Sequence, residues 1–178
     1  MKEKGSWKPW VLLVLVIVGF VWWYTSNNLT GFSESVETRV VDWDRYSGKW
    51  HEVGSNPTWF QRGLTDVTAE YVLLDDGKVK VINSGVDPRG NLKQVEGKAE
   101  VFSEGRLKVS FFPFIKSDYN VLYVDEFYSY ALVGGGNPRY LWILCRVPDL
   151  DGRVVEGLLD IAKKEGYEVD KFALSKDK

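Results

Sequence analysis

Apolar and polar positions alternate with a period of two through most of the chain from Val41 onward. Val67-Thr68-Ala69-Glu70-Tyr71-Val72-Leu73 leads through Asp75-Asp76-Gly77 into Val79-Lys80-Val81-Ile82-Asn83, which predicts a hairpin. Val95, Gly97, Ala99 and Val101 alternate with Gln94, Glu96, Lys98 and Glu100, so one face of that strand is wet. Glu104-Gly105 turns the chain into Leu107, Val109 and Phe111, and Tyr119, Val121 and Tyr123 follow. After a turn at Asp125-Glu126 come Tyr128 to Val133, a Gly134-Gly135-Gly136-Asn137-Pro138 turn, and Tyr140 to Val147. Counted from Trp50 this gives eight strands joined mostly by short turns. Such a meander either pairs as two sheets or closes on itself, and closure removes the edges. After Pro148 the period changes. Val154, Val155, Leu158, Leu159, Ile161 and Ala162 recur at helical spacing, Asp149 or Asp151 can cap the start, and Gly166 marks the stop. The pattern predicts one helix laid by its apolar stripe on the outside of a barrel, then a short extra strand within Tyr167 to Leu174.

Period two also predicts which side chains share the interior. With Trp50 inward, the inner face takes Ala69, Tyr71, Val79, Val81, Asn83, Gly97, Ala99, Val101, Leu107, Val109, Phe111, Tyr119, Val121, Tyr123, Tyr130, Leu132, Tyr140, Trp142 and Leu144. Small residues at Gly85, Gly97 and Ala99 leave room. An eight-stranded barrel is just wide enough either to fill itself or to hold one small ligand, and periodicity leaves both open. His51 alternates with Trp50 and should face away. Cys145 alternates with Leu144 and should be an inert thiol on the outer wall under the helix.

The amino terminus follows another rule. Residues 10–24 carry no charge; Lys2, Lys4 and Lys8 precede them, and Trp22, Trp23 and Tyr24 close the far end. A basic flank, an apolar run and an aromatic edge suit a membrane segment with the remaining chain outside the cytoplasm. The run is slightly short of the ~20 residues that span a bilayer comfortably. A cleaved leader has a similar front, but Tyr24-Thr25-Ser26-Asn27-Asn28 offers no small-residue cleavage pattern. The organisation expected is a signal anchor or transmembrane helix at 1–25, a tether at 26–40 and one folded domain at 41–178.

Composition narrows the function. Of 178 residues 44 % are hydrophobic and 15 % aromatic, enough for a core and for an apolar cavity. A net charge of -2 makes nucleic acid a poor partner. One Cys and one His argue against an internal disulfide, a Cys-based zinc cage or a multi-His metal site, so no metal or other cofactor is expected. Asp75-Asp76 and Asp149-Asp151 read as turn and cap residues.

Gly48-Lys49-Trp50 at the first strand and Arg146 at the end of the eighth stand in an order that resembles the lipocalins. Phe127-Tyr128-Ser129-Tyr130 occupies the place of that family's Thr-Asp-Tyr signature, a partial match. Phe60-Gln61-Arg62-Gly63-Leu64, Val81-Ile82-Asn83-Ser84-Gly85, Glu96-Gly97-Lys98-Ala99, Lys108-Val109-Ser110-Phe111-Phe112 and Tyr140-Leu141-Trp142-Ile143-Leu144 look like the bacterial outer-membrane lipocalins in particular. The resemblance covers about Val41 to Leu174. It implies an all-β, eight-stranded antiparallel up-and-down barrel with one C-terminal helix outside. It also implies that Gly48, Trp50 and Arg146 are structural, with the Arg packed across the Trp at the narrow end. The lipoprotein Cys of that group is missing just past the apolar run, which makes the run itself the substitute anchor.

The resemblance further implies that a fatty acid, lysophospholipid or similar amphiphile is held in the cup for storage or transport in the cell envelope, with the membrane as a partner through the N-terminal segment. Residues expected to line or cover the cup are Ala69, Tyr71, Val81, Asn83, Ala99, Val101, Val109, Phe111, Tyr119, Val121, Tyr130, Tyr140 and Trp142, with Trp59, Phe60 and Arg62 at the mouth. Trp59 and Phe60 either lie across the mouth or form an exposed turn packed on the rim, and Arg62 either meets an acidic head group or is simply solvated. The rim aromatics leave a homodimer open. A filled barrel serving protein interaction is the alternative. An enzyme acting on a small lipid or isoprenoid would need an inward thiol or acid–base pair, and the sequence offers neither.

Overall fold

The computed structural model describes residues 30–177. The expected anchor at 1–25 lies outside the described residues. Among the described residues no helix is long and apolar enough to cross a membrane.

Eight antiparallel strands form the wall: β1 (Gly48–Ser55), β2 (Thr65–Leu73), β3 (Val79–Val86), β4 (Leu92–Ser103), β5 (Arg106–Phe112), β6 (Ile115–Val124), β7 (Tyr130–Gly135) and β8 (Leu141–Cys145). Each pairs with its sequence neighbour, and β1 closes the ring by pairing β8 as well as β2. The two closing contacts use different parts of β1. Gly48 to His51 face β2, whereas His51 to Ser55 face β8, with a bulge between Glu52 and Gly54. A short β9 (Ala173–Leu174) adds to the upper part of β1.

Turn chemistry sets the hairpins. At Glu104-Gly105 the glycine has φ +70°, and a Cβ there would sit 2.1 Å from the Arg39 carbonyl oxygen. Only glycine lets the β4–β5 turn carry the incoming chain so closely. Because the chain is a meander, the β1–β2, β3–β4, β5–β6 and β7–β8 turns share one end, the mouth. The β2–β3, β4–β5 and β6–β7 turns share the other, the closed end.

Among the described residues three helices flank the wall: α1 (Thr30–Ser35), α2 (Trp43–Tyr46) and α3 (Gly152–Lys164). The Asp151 carboxylate caps α3 by accepting from the Arg153 N–H at 2.9 Å, and Gly166 at φ +85° follows its end. Val155, Leu158 and Ala162 form its buried stripe. They meet Leu132, Leu141, Ile143 and Cys145 from the outer face of β7 and β8. Cys145 is thus a buried outer-wall thiol.

The expected tether at 26–40 is corrected in its described part. Val36 is buried, the Ser33 hydroxyl donates to Asn120 at 3.2 Å, and the Arg39 N–H donates to the Val121 carbonyl at 2.9 Å. Residues 30–41 dock along the outer wall because apolar Phe32 and Val36 find an apolar surface there: Phe32 sits edge-on to Tyr167, and both belong to the outer core.

Two corrections concern the inner face. Tyr130, Tyr123 and Leu132 point outward, into the core beneath α3. In β6 an extra residue, Leu122, bulges between Val121 and Tyr123, so the inward side passes from Val121 to Val124. In β7 the inward residues are Ala131 and Val133. That strand is covered on both faces, so Tyr130-Ala131-Leu132-Val133 has no polar alternation to mark its register. Val101 keeps its parity but not its burial. β3 pairs β4 only as far as Val79 with Ala99, so Val101 projects past the β2–β3 turn and is 42 % exposed at the closed end.

Candidate functional site: a stapled floor beneath an open cup

The floor is built around Gly48-Lys49-Trp50. Trp50 is fully buried, and its indole N–H donates to the Tyr46 carbonyl at 2.8 Å. The Arg146 guanidinium lies 3.8 Å from the centroid of the Trp50 ring. It donates to the carbonyls of Tyr128, Lys49, Arg45, Tyr46 and Ser47 at 2.9–3.2 Å, lacing β8 to the α2 segment and the β6–β7 turn. Gly48 has φ +96°, and a Cβ there would come within 3.3 Å of an Arg146 nitrogen. This geometry is the physical reason for a glycine two residues before the tryptophan. In the β6–β7 turn Asp125 accepts from the backbone N–H groups of Phe127, Ser129 and Tyr130. The Tyr128 hydroxyl accepts from the Asp42 N–H at 2.8 Å.

Above the tryptophan three phenols meet. The Tyr119 hydroxyl bonds Tyr46 at 2.7 Å and Tyr71 at 2.8 Å. Burial pushes all three phenols above their ordinary range, most plainly Tyr46 and Tyr119. Together with Val79, Leu107, Val121, Ala131 and Leu144 they fill the lower half of the barrel.

The upper half differs. Tyr71 and Val81 are buried, but on the same inner face Ala69 and Asn83 are partly exposed, and Val95 is 43 % exposed. Phe111 and Trp142 are likewise half-buried. Ala99, Val109 and Val121 lie deeper, against the floor. Exposure therefore rises along the inner face toward the mouth, as it must where a cup is open to solvent.

One polar cluster at this level was absent from the expected site. Glu52 and Ser55 are buried with their side chains on the inner face, opposite Leu144 and Trp142. The Glu52 carboxylate accepts from Ser55 Oγ at 2.9 Å and from Gln61 Nε2 at 2.7 Å. Gln61 Oε1 in turn accepts from Thr58 Oγ1 at 2.9 Å and from the Trp142 indole at 3.2 Å. The cluster pins the short 3₁₀ turn Trp59–Gln61 to the wall. Glu52 was accessible to period-two reasoning, being two residues beyond Trp50. Ser55 was not, because the bulge reverses parity after Glu52.

Trp59 and Phe60 emerge from that pinned turn at 65 % and 49 % exposure, edge to face with each other. They form an exposed turn on the rim rather than a cover over it. Tyr140 precedes β8, lies near Phe60 and stacks on Trp142 with centroids 6.1 Å apart. Arg62 is exposed at the same end. His51 faces out of the barrel, opposite Cys145, and burial lowers its imidazole pKa.

A surface groove of about 420 Å³ lies outside the lumen on β4 and β5. Its walls are mainly lysines and glutamates, with Lys116 paired to Glu100, and it offers no enclosed apolar space. Among the described residues no cluster of His, Cys, Asp and Glu could hold a metal ion.

Comparison with known proteins agrees with this architecture. Residues 41–177 match the family model of the lipocalin-like domain. The chain is 44 % identical over 135 residues to the outer membrane lipoprotein Blc of Escherichia coli K12, covering 74 % of this chain and 76 % of that protein. It is 39 % identical over 153 residues to the protein of the same name from Vibrio cholerae, covering 82 % and 89 %. Mouse apolipoprotein D is 29 % identical over 141 residues, 74 % of each chain. Insecticyanin from the tobacco hornworm Manduca sexta superimposes with a TM-score of 0.62 at 22 % identity, over 78 % of this chain and 82 % of that one. Lobster apocrustacyanin A1 does so with 0.61 at 20 %, over 74 % and 77 %; at such identities these two speak to fold alone. A closed eight-stranded barrel, a Gly-x-Trp floor under an arginine and an outer helix, together with these matches, make the chain a member of the lipocalin family.

Proposed function

We propose that this lipocalin binds a fatty acid, lysophospholipid or similar amphiphile in the upper half of its barrel, with the apolar tail inward and the polar head at the mouth. The observation that carries this reading is the gradient along the inner face. Apolar side chains pass from fully buried at Leu107 and Val121 to solvent-reachable at Ala69, Val95 and Trp142. An accessible oily wall gains ~25 cal/mol per Å² when a tail covers it, before the costs of ordering. The Glu52 cluster disfavours a carboxylate deep in the cup, which keeps an acidic head group at the rim near Arg62.

The reading includes a place in the cell envelope, held there by the uncharged run at 10–24. Two relatives are named as outer membrane lipoproteins, which supports that location. It also treats the protein as a carrier rather than an enzyme, in keeping with a lumen of hydrocarbon, phenols and one buttressed carboxylate.

Native mass spectrometry of the protein purified from cells, followed by titration of Trp fluorescence with fatty acids, tests the reading. A co-purifying lipid and saturable binding weakened by Trp142→Ala are expected. Absence of both assigns the barrel to protein interaction, and a chemically altered lipid assigns it to catalysis.

A further inference from the structure

The two ends of the barrel differ in charge. The loops at the mouth, residues 56–64, 87–91, 113–114 and 136–140 with the adjoining 167–172, hold Arg62, Arg89, Arg139 and Lys171 against Asp87, Glu168 and Asp170, a net of +1, with Arg139 paired to Glu168 at 3.5 Å. The loops at the closed end, residues 42–47, 74–78, 104–105, 125–129 and 146–151, hold nine carboxylates against Arg45, Lys78 and Arg146, a net of -6. A chain of overall charge -2 has thus separated its signs along the barrel axis.

The mouth also carries side chains with no role in the core. Trp59, Leu92, Phe112 and Phe114 are between 65 % and 104 % exposed. Phe114 is the sharpest case. It follows Pro113 in the two-residue β5–β6 turn at φ +68°, where a turn of this kind ordinarily carries glycine. Its side chain is fully exposed, so burial does not account for a phenylalanine at positive φ at this tip. Exposed rings occur at the closed end too, at Phe102 and Phe127, so exposure alone does not choose between the ends. Charge does.

We propose that the mouth is a docking face for an anionic phospholipid bilayer: the arginines meet the head groups, Trp59, Leu92, Phe112 and Phe114 enter the interface, and the acidic end is held away. Cationic residues flanking amphipathic aromatic rings are the chemistry that the head-group region accepts. The path of the chain is compatible with it. From Tyr46 the chain crosses the β4–β5 turn, where Thr38 Oγ1 donates to the Glu104 carbonyl, and then runs along the outer wall, where Ser33 meets Asn120 and Phe32 meets Tyr167, so α1 lies on the side wall. The proposal does not depend on lipid carriage; a barrel that bound no fatty acid would still dock.

The test uses the full chain in a Cys145→Ala background, reconstituted into phosphatidylethanolamine vesicles with or without phosphatidylglycerol. A fluorophore is placed on Phe114→Cys or, for the opposite end, on Phe127→Cys. Nitroxide carried on lipid acyl chains should quench position 114 and spare 127 when phosphatidylglycerol is present. High salt or Arg62→Glu with Arg89→Glu should abolish that quenching, since each arginine near an anionic surface is worth roughly fivefold in partitioning. A thermal midpoint equal to that of the parent checks that the doubly reversed protein is folded. Equal quenching at both ends, stronger quenching at 127, or quenching at 114 that ignores phosphatidylglycerol overturns the proposal. Protection of 114 from aqueous iodide without lipid quenching overturns it as well and assigns the mouth to a second copy of the chain.

Discussion

The lower and upper halves of this barrel are made by the same eight strands and solve different problems. Below, Trp50, Tyr46 and Arg146 are held by eight hydrogen bonds and ring contacts within a few ångströms, and Trp50, Tyr46, Val79, Leu107, Val121 and Ala131 are buried almost completely. Above, Ala69, Asn83, Val95 and Trp142 face inward yet remain reachable. Concentrating the packing at the floor lets the upper inner face stay partly exposed without loss of the fold. Substitutions should therefore separate into those that cost stability and those that cost binding.

The sharpest way to break that division is at the floor. Trp50→Ala should destabilise by about 3–5 kcal/mol in urea unfolding, from lost burial and the cavity left behind. Arg146→Ala should cost roughly 2–3 kcal/mol, because it strips a cation from an indole and leaves carbonyls at three segments without a donor. Tyr119→Phe should cost about 1–2 kcal/mol, since it leaves two buried hydroxyls unmatched. The same phenols predict a pH signature. Their folded pKa values lie above the unfolded value of about 10, and that of Tyr167 on the outer wall is pushed up to about 12. The unfolded chain then loses protons first as pH rises. The stability they contribute is complete below pH ~10 and falls away above it, and the fall should be shallower in Tyr119→Phe. In the upper half the order reverses. Trp142→Ala should weaken fatty-acid affinity about tenfold, ~1.4 kcal/mol, and leave the floor intact by near-ultraviolet circular dichroism. Trp59→Ala, at an exposed tip, should change stability by less than about 0.5 kcal/mol.

How far each half could be foreseen depended on what its residues face. Strands with one wet side, such as β4 with Lys98 and Glu100 between Gly97, Ala99 and Val101, declare their register in alternation. The outer helix declared itself through the stripe Val155, Leu158 and Ala162. β7 is apolar on both sides, so nothing in Tyr130-Ala131-Leu132-Val133 told the lumen from the helix bed. The bulge at Leu122 reverses parity without any sequence mark such as glycine, and the one at Val53 is marked only by the Gly54 that follows it. The docked stretch around Phe32 and Val36 read as a tether because its partners, Asn120 and Tyr167, lie far along the chain. The Glu52–Gln61 link was hidden for the same reason: a loop glutamine gains its meaning only from the carboxylate it reaches.

The divided pairing of β1 has a consequence for how a guest gets in. Backbone pairing joins β1 to β2 only from Gly48 to His51; higher up, the same edge of β1 pairs β9 instead, Gly54 with Leu174 and Ser55 with Ala173, while Thr65 pairs β3. The wall thus has a seam between β1 and β2 that begins at the mouth and stops at the tryptophan, and on the β1 side the short β9 lies along it. Parting it requires the two-residue β9 to leave β1, with none of the eight barrel strands separated. Amide exchange should be fastest at β9 and at the mouth end of β2, and under the proposed function a long alkyl chain would enter sideways there while the ring of strands below stays shut.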